Sequence, residues 1–517
     1  MNRVMVIGLD AADPDLVRRW IQAGQLPHLE TLAARGKFGR LSSPAWMSTG
    51  PVWPSFFAGT SPARHGRFFF RQLENGTYRI VKKRADEIEA TPFWEQIEKN
   101  GKRVAVLDVP KTYPRRDCHA IQLVGWGVHS AAWETASHPQ HLLAEVHQLF
   151  GSHPVQNCDD VNLTSAEHYE SFVADLISGI SQKCELALWL YKREEWDLFV
   201  NVFSEAHCAG HMLWHVHDTG HPEHDNVLRQ RLGDPLLRIY QRLDDAIGKL
   251  IAAAKNTNLI VFSPHGMGAN YGGSHLLPAV LERLGMGSSP ELGAGHLVRP
   301  KSRTVRRIRA LPDRVPIGLQ KILRSFIPRR LWDTATTRLL SLGNKWAESL
   351  AFCVPGDYAG AIRVNLKGRE PAGRVNPGDD YDQLCMELAT ELCSLINPAT
   401  GQQAVREVTR IDQVYTGELI NQLPDLIVQW SGDAPISALN SPRIGEVVGS
   451  EISQRSGEDR SDGFLFVAGP DISQGGSLQE VVGDLTDLAP TITALMGTSL
   501  TQAHDGRVLS SIFASRR

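Results

Sequence analysis

Thr49 offers a hydroxyl in a turn bounded by Gly and Pro, within Ser48-Thr49-Gly50-Pro51-Val52-Trp53-Pro54-Ser55. Phe56-Phe57-Ala58-Gly59 follows and reads as the first turns of a buried helix. Upstream, the strand-like run Val4-Met5-Val6-Ile7-Gly8-Leu9 ends in Asp10. A hydroxyl at a helix N-terminus and an acid at a strand end are two parts of a phosphoryl-transfer site. The helix end favours anions. A cation held by the acid would lower the pKa of the hydroxyl and turn it into a nucleophile. Taken alone, the same residues also describe an ordinary strand-turn-helix with a capping threonine. His207 and His211 lie four residues apart directly after an apolar run, so on a helix both rings point the same way, as zinc ligation requires. His215, His217 and His221 follow, which leaves part of the cluster as plain surface histidine. His265, in Ser263-Pro264-His265-Gly266-Met267-Gly268, can reach a site from a fixed turn. Gly457-Glu458-Asp459-Arg460-Ser461-Asp462-Gly463 offers carboxylates and an arginine, and by itself reads as a solvated turn.

The elements that must carry these residues alternate. Strands are expected at 4–10, 103–110, 197–204 and 258–263, and helices at 13–35 (broken at Gly24 and Pro27), 92–100, 165–191 and 226–254. This β-α-β rhythm predicts an α/β fold with a mostly parallel central sheet flanked by helices. Chemistry in such sheets gathers at the carboxyl ends of strands. Asp10, the 204–211 segment and the 263–265 segment all sit at or just past those ends. Further strands are expected at 361–366, 405–409, 425–430 and 464–468, with a helix at 380–396 and a last one opening at Asp487.

Residues 297–345 break the rhythm. Arg299, Lys301, Arg303, Arg306, Arg307 and further cations face only Asp313 and Asp333 there. The segment reads as a basic helical insertion or cap within a single catalytic domain spanning 1–517. It is either a solvated helix face or a patch for an anionic substrate or a membrane surface. The chain has 517 residues, 42% hydrophobic and 21% charged, with net charge −3. That balance fits a large globular core and gives no reason to expect nucleic acid as a partner. Seven cysteines without a C-x-x-C pair read as free thiols, hence a cytoplasmic, reducing location. No signal peptide and no membrane-spanning run is expected.

In order along the chain come Asp10, Thr49-Gly50-Pro51 with Ser55-Phe56-Phe57-Ala58-Gly59, Pro62-Ala63-Arg64-His65-Gly66, His207…His211 and His265-Gly266-Met267-Gly268. With Pro424-Asp425-Leu426-Ile427-Val428 and Asp505-Gly506-Arg507, they make the chain resemble the type I phosphodiesterase/nucleotide pyrophosphatase branch of the alkaline phosphatase superfamily. The resemblance implies a two-metal hydrolase of small phosphate esters, with an alkaline-phosphatase-like core and a phospho-threonine intermediate. It makes Thr49 the nucleophile. Asp10, Thr49 and His265 become ligands of one ion, and His211 a ligand of the other. The family's Asp-x-x-x-His pair reads His207-x-x-x-His211 here, and its late His reads Asp459. The exchange keeps one carboxylate and two imidazoles, so a site of His207, His211 and Asp459 is expected, with zinc as the ion. The Asp that precedes the family's His is Pro264 here, which weakens the second site unless Asn270 or His275 substitutes. Trp46, Trp53, Trp126 and His129 line a pocket or belong to the core and loops. A catalytically impaired metal- or ligand-binding relative, and a sulfatase, mutase or phosphotransferase on the same core, are the alternative readings. Substrate and oligomeric state are not encoded in any motif.

Overall fold

Arg3–Leu9 is buried on both faces, and it lies at the middle of the sheet that organises the chain. The computed structural model describes residues 3–514 except 89, 116, 128–134, 159–160, 162, 288–344, 450–454 and 475–476. The expected basic insertion at 297–345, save Lys345, lies outside the described residues, as does His129. The described residues divide into two compact units.

The first unit comprises Met1–Phe68, Arg84–Asn270 and Ser453–Arg517. Its nine-stranded sheet runs in the order Ser477–Asp484, Lys37–Ser42, Gly463–Ala468, Thr257–Ser263, Arg3–Leu9, Leu198–Phe203, Val104–Leu107, Ile121–Val124, Ala136–His138. Thr257–Ser263 through Ile121–Val124 pair in parallel. Gly463–Ala468 enters antiparallel between Lys37–Ser42 and Thr257–Ser263. The parallel strands read as unbroken apolar runs because helices cover both faces. On one face Val4, Val6, Val106, Val200, Val202 and Phe262 pack with Trp53, Phe56 and Phe93. Alternate residues of the same strands, among them Met5, Phe199 and Phe203, are buried on the other face.

Local chemistry sets the helix ends. Asp13 caps Pro14–Gln22, accepting from the Asp15 and Leu16 amides. Ser165 caps Ala166–Tyr191. The single helix expected at 226–254 is two, Asn226–Leu232 and Pro235–Ala253. Gly233 ends the first in a left-handed conformation, and Asp234 caps the second with Pro235 at its first position. The segment expected as a solvated turn at 457–463 is also different. Gly457–Arg460 is a buried strand that pairs antiparallel with Gly266–Ala269, setting Asp459 opposite Met267.

The second unit, Phe69–Lys83 and Tyr271–Ile452, carries an antiparallel sheet in the order Ala351–Cys353, Gly360–Val364, Leu426–Trp430, Val405–Arg410. Asp379–Cys393 packs against this sheet through Leu384, Leu388 and Leu392. Asp425, in the Pro424-Asp425-Leu426 motif, is structural. Arg369 grips it through both terminal nitrogens (2.7 Å each), and it accepts from the Val364 amide (2.7 Å) and the Tyr381 hydroxyl (2.9 Å). Burial opposes its charge, but Arg369 outweighs burial and holds the carboxyl below its ordinary value. His275, suggested as a spare metal ligand, belongs to this unit, in the turn Ser274–Leu276.

Asp505-Gly506-Arg507 is structural too. Asp505 accepts from the Ser61 amide (2.7 Å) and pairs with Arg64 (2.7 Å), so the late chain clamps the helix Pro62–His65. A Cβ on Gly506 would stand 2.0 Å from the Thr486 carbonyl oxygen. Gly506→Ala is expected to lower unfolding free energy by about 1–3 kcal/mol, read from a urea titration; an unchanged midpoint would contradict this packing.

Candidate metal and nucleophile site

Ser204 begins the turn out of Leu198–Phe203, and Glu205–His217 runs on from it as a helix. His207 and His211 stand one turn apart on that helix, both buried, with their Nε2 atoms 3.2 Å from one another. His211 Nδ1 donates to the Gly457 carbonyl (2.8 Å), which fixes the tautomer and turns the Nε2 lone pair toward His207 and toward Arg455 Nη1 (3.2 Å). Asp459 completes the group. Its carboxylate lies 3.8 Å from His207 Nε2 and 3.9 Å from His211 Nε2. These three side chains offer ligand atoms all within 4.8 Å of one another. A tetrahedral ion with bonds of about 2.1 Å spaces its ligand atoms about 3.4 Å apart, so the donor set fits a zinc-like cation.

Asp459 also faces His265, whose Nδ1 is 3.4 Å away, and His265 Nε2 is 3.5 Å from Asp10 Oδ1. Burial opposes a charge on His265, but Asp459 and Asp10 outweigh it and hold the imidazole above its ordinary value. Asp10, His207, His211, His265 and Asp459 thus form one continuous buried group, drawn from four separate stretches of chain.

Trp53 ties the helix that follows Thr49 to this group. Its indole Nε1 donates to Asp10 Oδ1 (3.0 Å), and it lies in Val52–Ala58, the helix that Thr49 precedes. Thr49 is not the capping residue of that helix. Pro51 occupies the cap, with no side-chain bond to the first turn. Lys111 Nζ donates to the Thr49 carbonyl oxygen from the loop after Val104–Leu107. The backbone is left-handed at Ala11 (φ 56°), Asp108 (φ 55°) and Lys111 (φ 60°). Each lies just past a parallel strand, and strain of this kind persists where the surrounding structure imposes it.

Other sequence candidates lie elsewhere. Asn270 bonds the Arg455 carbonyl (3.1 Å) and is tied to that backbone. Pro264 brings no donor. Trp126 is a buried core residue, and Trp46 ends the short turn Pro44–Trp46. Lys111 was not foreseen as a site residue, and Trp53 was expected only as a residue of a pocket or of the core. Only the helical position of Trp53, four residues past Thr49, hinted at its role.

A sequence model of the family described as type I phosphodiesterase / nucleotide pyrophosphatase matches residues 4–309. The chain belongs to that family. Its members are phosphoester hydrolases, and this chain is an enzyme of that kind. No curated protein sequence matches it. Among solved structures it is similar to the phosphonoacetate hydrolase of Sinorhizobium meliloti 1021 in complex with phosphonoacetate, at 12% identity and TM-score 0.51, over 96% of this chain and 95% of that one. It is also similar to murine ectonucleotide pyrophosphatase/phosphodiesterase 5, in an inactive form with AMP, at 13% identity and TM-score 0.48, over 99% and 100% of the two chains. The first likeness bears on fold alone.

His65, in the family-like Pro62-Ala63-Arg64-His65-Gly66 run, supports the helix after Thr49. Its Nδ1 accepts from the Arg67 amide (3.2 Å), so Nε2 carries the proton toward Ser55 Oγ (3.0 Å). Burial, then Arg67, lowers its pKa from 6.5 to about 3. The unfolded chain therefore binds this proton first. The stability linked to His65 is complete above pH 6.5 and is lost as pH falls toward about 3, by up to about 1.4 kcal/mol per pH unit. His65→Gln should flatten the acid limb of a stability–pH curve by about that slope; an unaltered limb would contradict a neutral His65.

Proposed function

We propose that this family member cleaves small phosphate esters of the phosphodiester or pyrophosphate type through a phospho-threonine intermediate, in a divalent-metal-dependent reaction with zinc as the expected ion. What supports the reading is the spacing of His207, His211 and Asp459 around one point, with Asp10 and His265 alongside and the Thr49 helix tied to Asp10 through Trp53.

In this reading Thr49 Oγ attacks phosphorus in line with the leaving oxygen and its proton departs to solvent. Lys111 holds the Thr49 main chain still and adds positive charge beside the incoming phosphoryl group. Asp10 accepts from the Trp53 indole, and its carboxylate would offer a ligand to a cation. His207, His211 and Asp459 hold the first ion, while Asp10, Thr49 and His265 offer a poorer second set because Pro264 supplies no ligand. When bound, such ions lower the pKa of an alcohol or water and neutralise phosphoryl oxygens. Water then cleaves the phospho-threonine, releasing phosphate or a phosphomonoester and restoring the hydroxyl. A cytoplasmic location belongs to the same proposal, on the ground of seven cysteines with no C-x-x-C pair. Among the described residues no helix is long and apolar enough to cross a membrane.

Thr49→Ala is expected to reduce turnover of nitrophenyl phosphate mono- and diesters by roughly 10³-fold or more while metal content stays near wild type. Wild-type turnover in that variant would refute the covalent route. Metal analysis of the purified enzyme should return one tightly held ion per chain, removed with activity by a chelator. A second ion bound as tightly would show that Pro264 does not weaken the other set. Lys111→Ala is expected to lower kcat and raise KM with metal content unchanged; unaltered kinetics would remove Lys111 from the site.

A further inference from the structure

Behind the helix that bears His207 and His211 lies a group of buried ionisable side chains with no direct part in the proposed reaction. Lys183, on Ala166–Tyr191, pairs with Asp108 at 2.8 Å, and neither side chain is exposed. Asp108 also accepts from the Trp126 amide (2.8 Å) and the Gly127 amide (2.7 Å). His153 Nε2 donates to Glu205 Oε1 at 3.0 Å, again fully buried. Both pairs border Gly127. A Cβ on Gly127 would lie 3.0 Å from Lys183 Nζ, 3.2 Å from Asp108 Oδ2 and 3.2 Å from His153 Cδ2. His153 in turn needs Gly179, where a Cβ would stand 2.2 Å from its Nε2.

Buried pairs of this kind cost desolvation that apolar packing would avoid, so they are weak as stabilising devices. Their positions explain them better. Asp108 opens the left-handed loop that carries Lys111 to the carbonyl of Thr49. Glu205 is the first residue of the helix that presents His207 and His211. The one cluster therefore holds the root of the nucleophile's support and the root of the imidazole pair. The adjoining strand and turn add polar atoms with no protein partner among the described residues: both of Asn201, Ser204 Oγ and Glu205 Oε2. A core adapted only for packing does not keep so many.

We infer that Asp108, Lys183, His153 and Glu205 are positioning residues that set the nucleophile loop and the metal-binding imidazoles in register with each other. The inference rests on the metal-site reading above. Partners behind a metal's direct ligands are worth 10–100-fold in affinity or activity in other sites. Here the action passes through backbone rather than through a ligand's own hydrogen bond.

The test measures zinc affinity by chelator competition and the visible spectrum of the cobalt-substituted enzyme, with nitrophenyl diester kinetics alongside. Glu205→Ala is expected to weaken zinc binding about tenfold and shift the cobalt bands, whereas Glu205→Gln, which still accepts from His153, stays near wild type. The double variant Asp108→Asn with Lys183→Met removes both charges of one pair together, guarding against misfolding from a lone buried ion. It is expected to lower kcat about tenfold with a smaller change in zinc affinity. Gly127→Ala, which removes no functional group, should disturb both readouts. Wild-type zinc affinity and cobalt spectrum in Glu205→Ala, with only a lowered melting temperature, would overturn the proposal. If His207→Ala and His211→Ala leave zinc binding unchanged, the ligand assignment itself fails and the inference falls with it.

Discussion

The carboxylate of Asp459 faces three imidazoles, and the arrangement of the site follows from that one placement. It lies 3.4 Å from His265 and 3.8 and 3.9 Å from His207 and His211. The short antiparallel pairing of Gly457–Arg460 with Gly266–Ala269 puts it there. Without that ladder the late carboxylate and the earlier histidines would be separate surface groups. With it, a residue about two hundred positions downstream becomes the shared counter-charge of the cluster. Burial strengthens each of these electrostatic contacts, because water no longer screens them.

Much of this was legible in the sequence for a specific reason. Continuous apolar runs give parallel strands, and chemistry collects where such strands end, so Asp10, His207, His211 and His265 could be named from pattern and motif. The exchange of Asp and His between positions 207 and 459 was legible because the donor count is conserved while the order is not. What could not be read was anything that depends on pairing across the chain. Gly457-Glu458-Asp459-Arg460 has the composition of a solvated turn, and only its partner strand makes it a buried one. The break at Gly233-Asp234-Pro235 was visible as residues, but the apolar spacing on either side masked it. Trp53 looked like core, and it is core. Its indole nitrogen nevertheless supplies the link between the helix after Thr49 and Asp10.

Two motifs that supported the family resemblance hold structure together. Asp425 anchors a charge network in the second unit, and Asp505 clamps the segment that carries His65. A buried acid paired with a bidentate arginine tolerates little substitution, because removing either partner strands the other. Such residues mark a family as firmly as catalytic ones do, for reasons of architecture. The resemblance and the mechanism therefore rest on partly different residues.

The antiparallel strand Gly463–Ala468 has a consequence for synthesis. It fills the slot between Lys37–Ser42 and Thr257–Ser263, both laid down long before it. Until those late residues leave the ribosome, two strands present unsatisfied backbone edges to solvent, and such edges recruit other chains. A chain that ends before Gly457 would also lack Asp459 and the ladder that places it. Messenger truncation or slow translation near the 3′ end would thus yield a sticky, ligand-poor species rather than a smaller working enzyme.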